Sequence, residues 1–98
     1  MATRRLLSPA ELRQGLKKLS GWKKANGKLH KEFRFGDFAK AFAFMKKTAR
    51  AAEALNHHPE WFNVYNKVRV DLVTHDLGGI STLDLLLAEK MNGFARRS

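Results

Sequence analysis

The sequence has no cysteine. That absence excludes disulfides, thiolate metal sites and a cysteine nucleophile, and it fits a reducing compartment. No apolar run approaches the ~20 residues that cross a bilayer. The opening Met1-Ala-Thr-Arg-Arg-Leu-Leu is basic but too short for a signal or transit peptide, and it reads as a flexible end over residues 1–7. No serine sits in a nucleophile elbow, and no repeat, linker, low-complexity stretch or βαβ glycine motif occurs. Acidic residues are also scarce, nine against nineteen Lys and Arg, for a net charge of +10. Such a balance favours anionic partners in general. The cations are dispersed, however, without a block of five or six, which argues for solvated faces over a specific nucleic-acid interface.

What is present predicts one small domain spanning 1–98, with 44% hydrophobic residues and a core that self-association would supplement. Ser8-Pro9-Ala10-Glu11 is a capping box with proline at the first helical position. Leu12, Leu16 and Leu19 then carry a first helix over about residues 9–20, stopped by Gly21. Asn26-Gly27 joins two strands, 22–24 and 28–35, as a hairpin. Leu29, Phe33 and Phe35 share one parity, interrupted by Lys31, while His30, Glu32 and Arg34 face water. Asp37 caps a second helix whose inward stripe is expected to be Phe38, Phe42, Met45, Ala49 and Ala52, ended by Pro59. Residues 62–74 alternate as one long strand, or two with a kink near Asn66, with Val64, Val68, Val70 and Leu72 on one face. Ser81 and Asp84 open a third helix with Leu83, Leu86, Leu87 and Met91 inward. The order αββαββα, with hairpins between helices, predicts an α+β fold: a four-stranded antiparallel sheet with three helices on one face.

Three of the four histidines fall between residues 53 and 84. Imidazole exchanges protons near neutral pH, so such a cluster suits general acid/base chemistry. His57 and His58 leave the second helix just before Pro59 and point in different directions. His75 continues the non-core parity of its strand and precedes Gly78-Gly79, where a side chain can stand at a pocket rim or simply in a loop. Glu53, one helical turn before His57, can meet it on the same face. Asp84 occupies a position where a carboxylate caps a helix. Zinc held by His57, His58 and His75 is disfavoured, because adjacent residues make awkward tetrahedral ligands.

The pattern Glu-x-x-x-His-His-Pro-Glu-Trp-Phe-Asn-Val-Tyr-Asn-Lys-Val over 53–68, with Thr-His-Asp-x-Gly-Gly-Ile-Ser-x-x-Asp over 74–84, resembles pterin-4a-carbinolamine dehydratase, also known as the dimerisation cofactor of hepatocyte nuclear factor. A looser match takes in Gly21-Trp22, Phe33 to Phe35 and Asp37 to Met45. The resemblance implies a cytoplasmic hydro-lyase, or a nuclear one in a eukaryote. It would dehydrate 4a-hydroxytetrahydrobiopterin to the quinonoid dihydropterin during tetrahydrobiopterin recycling. Pterin is then the substrate, and no cofactor is needed. By position, His57, His58 and His75 line the pterin pocket, with His57 and His75 as the acid/base pair and His58 orienting the ring. Glu53 and Asp84 would support the imidazoles, Asp84 near His75. Trp22 would pack on the ligand, and the backbone around Val73 and Thr74 would hydrogen-bond the pyrimidine. The implied partners are further copies, as homodimer or homotetramer, and an aromatic amino-acid hydroxylase or a transcription factor. A non-catalytic scaffold or coactivator is the alternative. Two residues depart from the pattern: Asn56, where many relatives carry Asp beside the histidine pair, and Leu77, where a smaller residue is common. Loss of the carboxylate at 56 is expected to move the pH optimum down.

Overall fold

The Asn26-Gly27 turn brings both residues to positive φ, 54° and 76°, the geometry that matches a tight hairpin to the strand twist. It joins β1 (Lys23–Ala25) to β2 (Lys28–Arg34). The remaining elements of the computed structural model, which describes residues 4–97, are α1 (Pro9–Lys17), α2 (Phe38–Leu55), β3 (Glu60–Val64), β4 (Lys67–Leu72) and α3 (Thr82–Arg96), with a single 3₁₀ turn at His75–Leu77. All strand pairs are antiparallel, and the order across the sheet is β1-β2-β4-β3. The fold is the expected α+β arrangement αββαββα. Leu29, Phe33, Val68, Val70 and Leu72 from the sheet share one buried cluster with Leu12 of α1, Phe44 of α2 and Leu87 of α3. The opposite sheet face carries His30, Glu32, Arg34, Arg69 and Asp71, none of them buried.

The chain entering α1 is held down from Arg5. Leu7 N–H donates to the Ile80 carbonyl at 3.0 Å, Thr82 N–H donates to the Arg5 carbonyl at 3.0 Å, and Leu6 bridges Ser81. Of the end expected to be flexible, residues 5–7 are thus tied to the segment that leads into α3, while residues 1–3 lie outside the described residues. The capping box of α1 forms as expected, but the helix stops at Lys17. Residues 18–22 then turn through bonds from Leu19 N–H to the Leu16 carbonyl and from Trp22 N–H to the Leu19 carbonyl, around Gly21 at φ 84°. The stop therefore comes three residues earlier than the leucine spacing suggested.

Two inward faces differ from expectation. On α2 the buried residues are Ala41, Phe44, Thr48 and Ala52, while Phe38 and Phe42 stand 47% and 50% exposed. Nearly every position from Phe38 to Met45 is apolar, so periodicity alone does not choose the buried side. Packing does: alanines at 41 and 52 let the helix approach closely, and the Phe44 ring sits 4.7 Å from Phe33 and 5.0 Å from Phe35. In the sheet, Val64 is 50% exposed. A two-residue turn, Tyr65-Asn66, separates β3 from β4 and pairs Val64 with Lys67, which puts both on the outer face. Counting alternation straight through a hairpin inverts the parity. On α3, Leu83, Leu87 and Met91 are buried as expected and Leu86 half so.

Thr48 has no solvent exposure, and its hydroxyl has no hydrogen-bond partner. An orphaned buried hydroxyl carries a desolvation cost of about 1–3 kcal/mol. Thr48→Val is therefore expected to raise stability by about 1 kcal/mol, read as a higher urea midpoint at constant m-value.

Candidate active site

His57 owes its position to the way α2 ends. Asn56 adopts the left-handed conformation, φ 50° and ψ 45°, its N–H bonds the Glu53 carbonyl at 3.2 Å, and His57 N–H reaches back to the Ala52 carbonyl at 3.0 Å. This is a Schellman closure, and asparagine is among the few non-glycine residues that tolerate the left-handed position. The helix therefore ends through Asn56, before Pro59 comes into play. The turn points His57 inward, to 8% exposure, and leaves His58 in solvent.

The carboxylate waiting for His57 is Asp84, itself wholly buried. His57 Nε2 lies 2.5 Å from Asp84 Oδ1. The other oxygen, Oδ2, accepts from the Thr74 hydroxyl at 2.9 Å and from Ser81 N–H at 2.8 Å. Thr74 Oγ1 and Ser81 Oγ are 2.6 Å apart, and Ser81 Oγ also accepts from Leu83 N–H at 3.2 Å. The donors fix the direction of the whole chain. The Thr74 proton goes to the carboxylate, so Ser81 must donate to Thr74. The carboxylate only accepts, so neutral His57 carries its proton on Nε2 and presents the Nδ1 lone pair. Asp84 was expected near His75; it closes the third helix as a cap and grips His57 instead, because Ser81 and Thr74 orient it that way.

The other two histidines repeat the arrangement at the surface. His58 Nε2 is 2.5 Å from Glu53 Oε2. Glu53 was expected to meet His57, but the Schellman turn carries His57 away and puts His58 over the end of the helix. His75 Nε2 is 2.8 Å from Glu60 Oε2, and Glu60 Oε1 accepts from Lys28 Nζ at 2.5 Å. Glu60, at the start of β3, is a site-forming residue that sequence reasoning left without a role. The only hint available was its place in the His-His-Pro-Glu motif, since the contact joins separate elements. The segment Thr74-His75-Asp76 runs beside His57: Thr74 shares Asp84 with it, and His57 when protonated would draw the Asp76 carboxyl down. The Arg4 guanidinium, 2.6 Å away, holds the Asp76 carboxyl below the usual aspartate range, with a smaller pull from His57.

Trp22 sits apart from this cluster. It is 5% exposed, edge-on to Phe33 at 5.8 Å, with Nε1 donating to Asn92 at 2.9 Å. Its ring is taken up by the core, which leaves almost no surface for stacking on a ligand. The Thr74 main chain is likewise committed, its N–H to the Gly79 carbonyl and its carbonyl to Leu77 and Gly78 N–H. Val73, half-buried, is left as the main-chain candidate of that pair. Among the described residues, no three His, Cys, Asp or Glu side chains are gathered to hold a metal ion.

Each of the three imidazoles hydrogen-bonds its own carboxylate, and imidazole is the side chain suited to general acid/base chemistry. The family profile described as Pterin 4 alpha carbinolamine dehydratase matches residues 5–94. The chain belongs to this family. Its members are hydro-lyases by name. A Solibacter usitatus protein named as a pterin-4-alpha-carbinolamine dehydratase is 53% identical over 89 residues, covering 91% of this chain and 94% of its own. A Brucella ovis protein of the same name is 46% identical over 94 residues, 94% and 97% of the two chains. A crystal structure from Brucella melitensis, described as a transcriptional coactivator/pterin dehydratase, superposes with a TM-score of 0.89 at 45% identity, covering 93% of this chain and 99% of that one.

Among the described residues, Lys28 is the one Lys or Arg that hydrogen-bonds the carboxylate partner of His57, His58 or His75. Its hydrogen bond, and then that of His75, keep the Glu60 carboxyl below the usual glutamate range. A depressed carboxyl adds stability above its unfolded value and loses it as pH falls through the folded one. Lys28→Met is expected to move Glu60 back up toward an ordinary glutamate, as read by side-chain carbon NMR titration. An unmoved Glu60 would mean that Lys28 does not hold it in solution.

Proposed function

We propose that the chain is a 4a-hydroxytetrahydrobiopterin dehydratase of tetrahydrobiopterin recycling. The C4a–O bond breaks, the hydroxyl leaves as water with one added proton, and N5 loses its proton to give the quinonoid dihydropterin. The nitrogen lone pair already assists this elimination, so one donor and one acceptor suffice. His57, through Nδ1, takes the N5 proton while Asp84 steadies the imidazolium that results. His75 donates to the departing oxygen and recovers its proton from solvent, to which it is open. His58, steadied by Glu53, orients the pterin ring, and the Val73 main chain faces its pyrimidine edge. The observation that carries the reading is the buried His57–Asp84 pair at 2.5 Å, with Asp84 Oδ2 held by the Thr74 hydroxyl and Ser81 N–H. The pterin is the substrate, and the reaction as written uses no cofactor.

The chain also works as a homo-oligomer in this reading. Phe38 and Phe42 stack at 5.8 Å on the outer side of α2, both half-exposed, and β1 and β3 are open sheet edges. Such surfaces suit a second copy. Supply of substrate by an aromatic amino-acid hydroxylase and a cytoplasmic setting complete the proposal.

Stopped-flow ultraviolet absorbance on the three histidine variants tests the roles. His57→Ala and His75→Ala are expected to lower kcat by about 100-fold or more. His58→Ala is expected to act mainly on KM. Wild-type kcat in His57→Ala would overturn the assignment.

A further inference from the structure

The dehydration chemistry gives no task to Lys31, the residue that breaks the apolar parity of β2 between buried Leu29 and Phe33. Its stem lies across Gly21, where an added Cβ would come within 2.8 Å of Lys31 Cε. Its ammonium sits 4.5 Å from the centre of the Phe33 ring. Nζ donates to the Ser20 carbonyl and to Asn92 Oδ1, both at 2.7 Å. Asn92 is fixed in turn by Trp22 Nε1 at 2.9 Å and by its own amide on the Ser20 carbonyl at 3.2 Å. The ammonium is therefore held in place by neutral acceptors only, with one N–H left over.

A second cation approaches it. Lys31 and Arg96 line the same open cleft of about 400 Å³ between β2 and the last turn of α3, with Arg34 at its rim. Among the described residues, no carboxylate hydrogen-bonds or ion-pairs with Lys31 or Arg96. The acid nearest in sequence, Glu32, meets Arg34 in an exposed pair at 3.3 Å. Burial, and then the charge of Arg96, push Lys31 below the usual lysine range. Two like charges in one cleft, one of them fixed and partly desolvated, are relieved by an anion between them. Glu32 lines the same cleft and offsets Arg34, and the negative end of the α3 dipole opposes with about half a charge, against the two remaining charges of Lys31 and Arg96.

We propose that this cleft is a phosphate site, in which an oxyanion accepts the free Lys31 N–H and the Arg96 guanidinium, with Arg34 closing the rim. The phosphate can be inorganic or carried as a monoester on a small metabolite, since the same donors recognise both.

The test is a titration of the full chain with inorganic phosphate, followed by ¹H–¹⁵N NMR at low ionic strength, with acetate at matched ionic strength as the control. Saturable shifts confined to residues around Lys31, Asn92 and Arg96 are expected, with acetate weaker. Arg96→Gln, an exposed substitution that leaves the fold alone, is expected to weaken binding about tenfold, the worth of one charge-assisted contact. Lys31→Met should do the same, and Lys46→Gln with Lys47→Gln on the exposed side of α2 should change it less than twofold. A parallel titration with a simple alkyl phosphate assigns the source: tighter binding points to an ester, equal or weaker binding to free phosphate. Absence of saturable shifts, unchanged affinity in Arg96→Gln, or an equal loss in the Lys46/Lys47 variant would each overturn the proposal.

Discussion

Asp84→Asn is expected to lower kcat for dehydration by about 100-fold while leaving the fold intact. Asp84 Oδ2 receives two donors, the Thr74 hydroxyl and Ser81 N–H. An asparagine must keep its amide oxygen on that side, because an NH₂ group there would face two other donors. Its NH₂ then faces His57 Nε2, which has to become an acceptor, so the ring proton moves to Nδ1. The atom presented to the substrate changes from a base to a donor. General acid/base contributions are about 10²–10⁴-fold, and a wrong tautomer forfeits most of that. Asp84→Ala has a different outcome. It leaves His57, Thr74 and Ser81 N–H without their common partner in a buried site, at a cost of about 3–5 kcal/mol. That approaches the whole stability of a chain this size, about 5–15 kcal/mol. Stopped-flow kinetics alongside urea unfolding separates the two effects. Wild-type kcat in a folded Asp84→Asn protein would show that His57 does not act through Nδ1.

Phe44→Ala is the substitution expected to cost most in the core, about 3–5 kcal/mol. The side chain has no exposure and contacts the rings of Phe33 and Phe35. Phe42→Ala, two residues earlier on the half-exposed side of the same helix, should cost under about 1 kcal/mol in a monomer. Urea unfolding of the pair measures which side of α2 is buried. A Phe42 loss as large as that of Phe44, growing with protein concentration, would mean that another copy covers that side.

Much of this was legible in the sequence because local chemistry decides it. Ser8-x-x-Glu11, Asn26-Gly27, Asp37 and Ser81-x-x-Asp84 each fix backbone within a few residues, and each forms as read. The four-stranded antiparallel sheet with three helices came with the hairpins and the family resemblance, whereas the order β1-β2-β4-β3 did not. What failed depended on tertiary contact. The buried side of α2 is chosen by Phe33 and Phe35 in another element, and Val64 is turned outward by a two-residue hairpin that alternation cannot detect. The carboxylate partners were misassigned for the same reason. Glu53 and Asp84 each meet an imidazole, but which one depends on the left-handed Asn56 and on the Thr74–Ser81 chain. Glu60 reaches His75 across elements, a contact that spacing along the chain does not encode.

Whether His57 and its partners dehydrate a pterin carbinolamine is tested most directly by the wild-type rate. Ultraviolet absorbance would follow freshly formed 4a-hydroxytetrahydrobiopterin at neutral pH, with and without the folded chain. Decay to the quinonoid dihydropterin is expected well above the spontaneous rate and proportional to protein concentration. Decay equal to buffer, with the protein folded throughout, would contradict it and leave a scaffold that keeps the family fold without its chemistry.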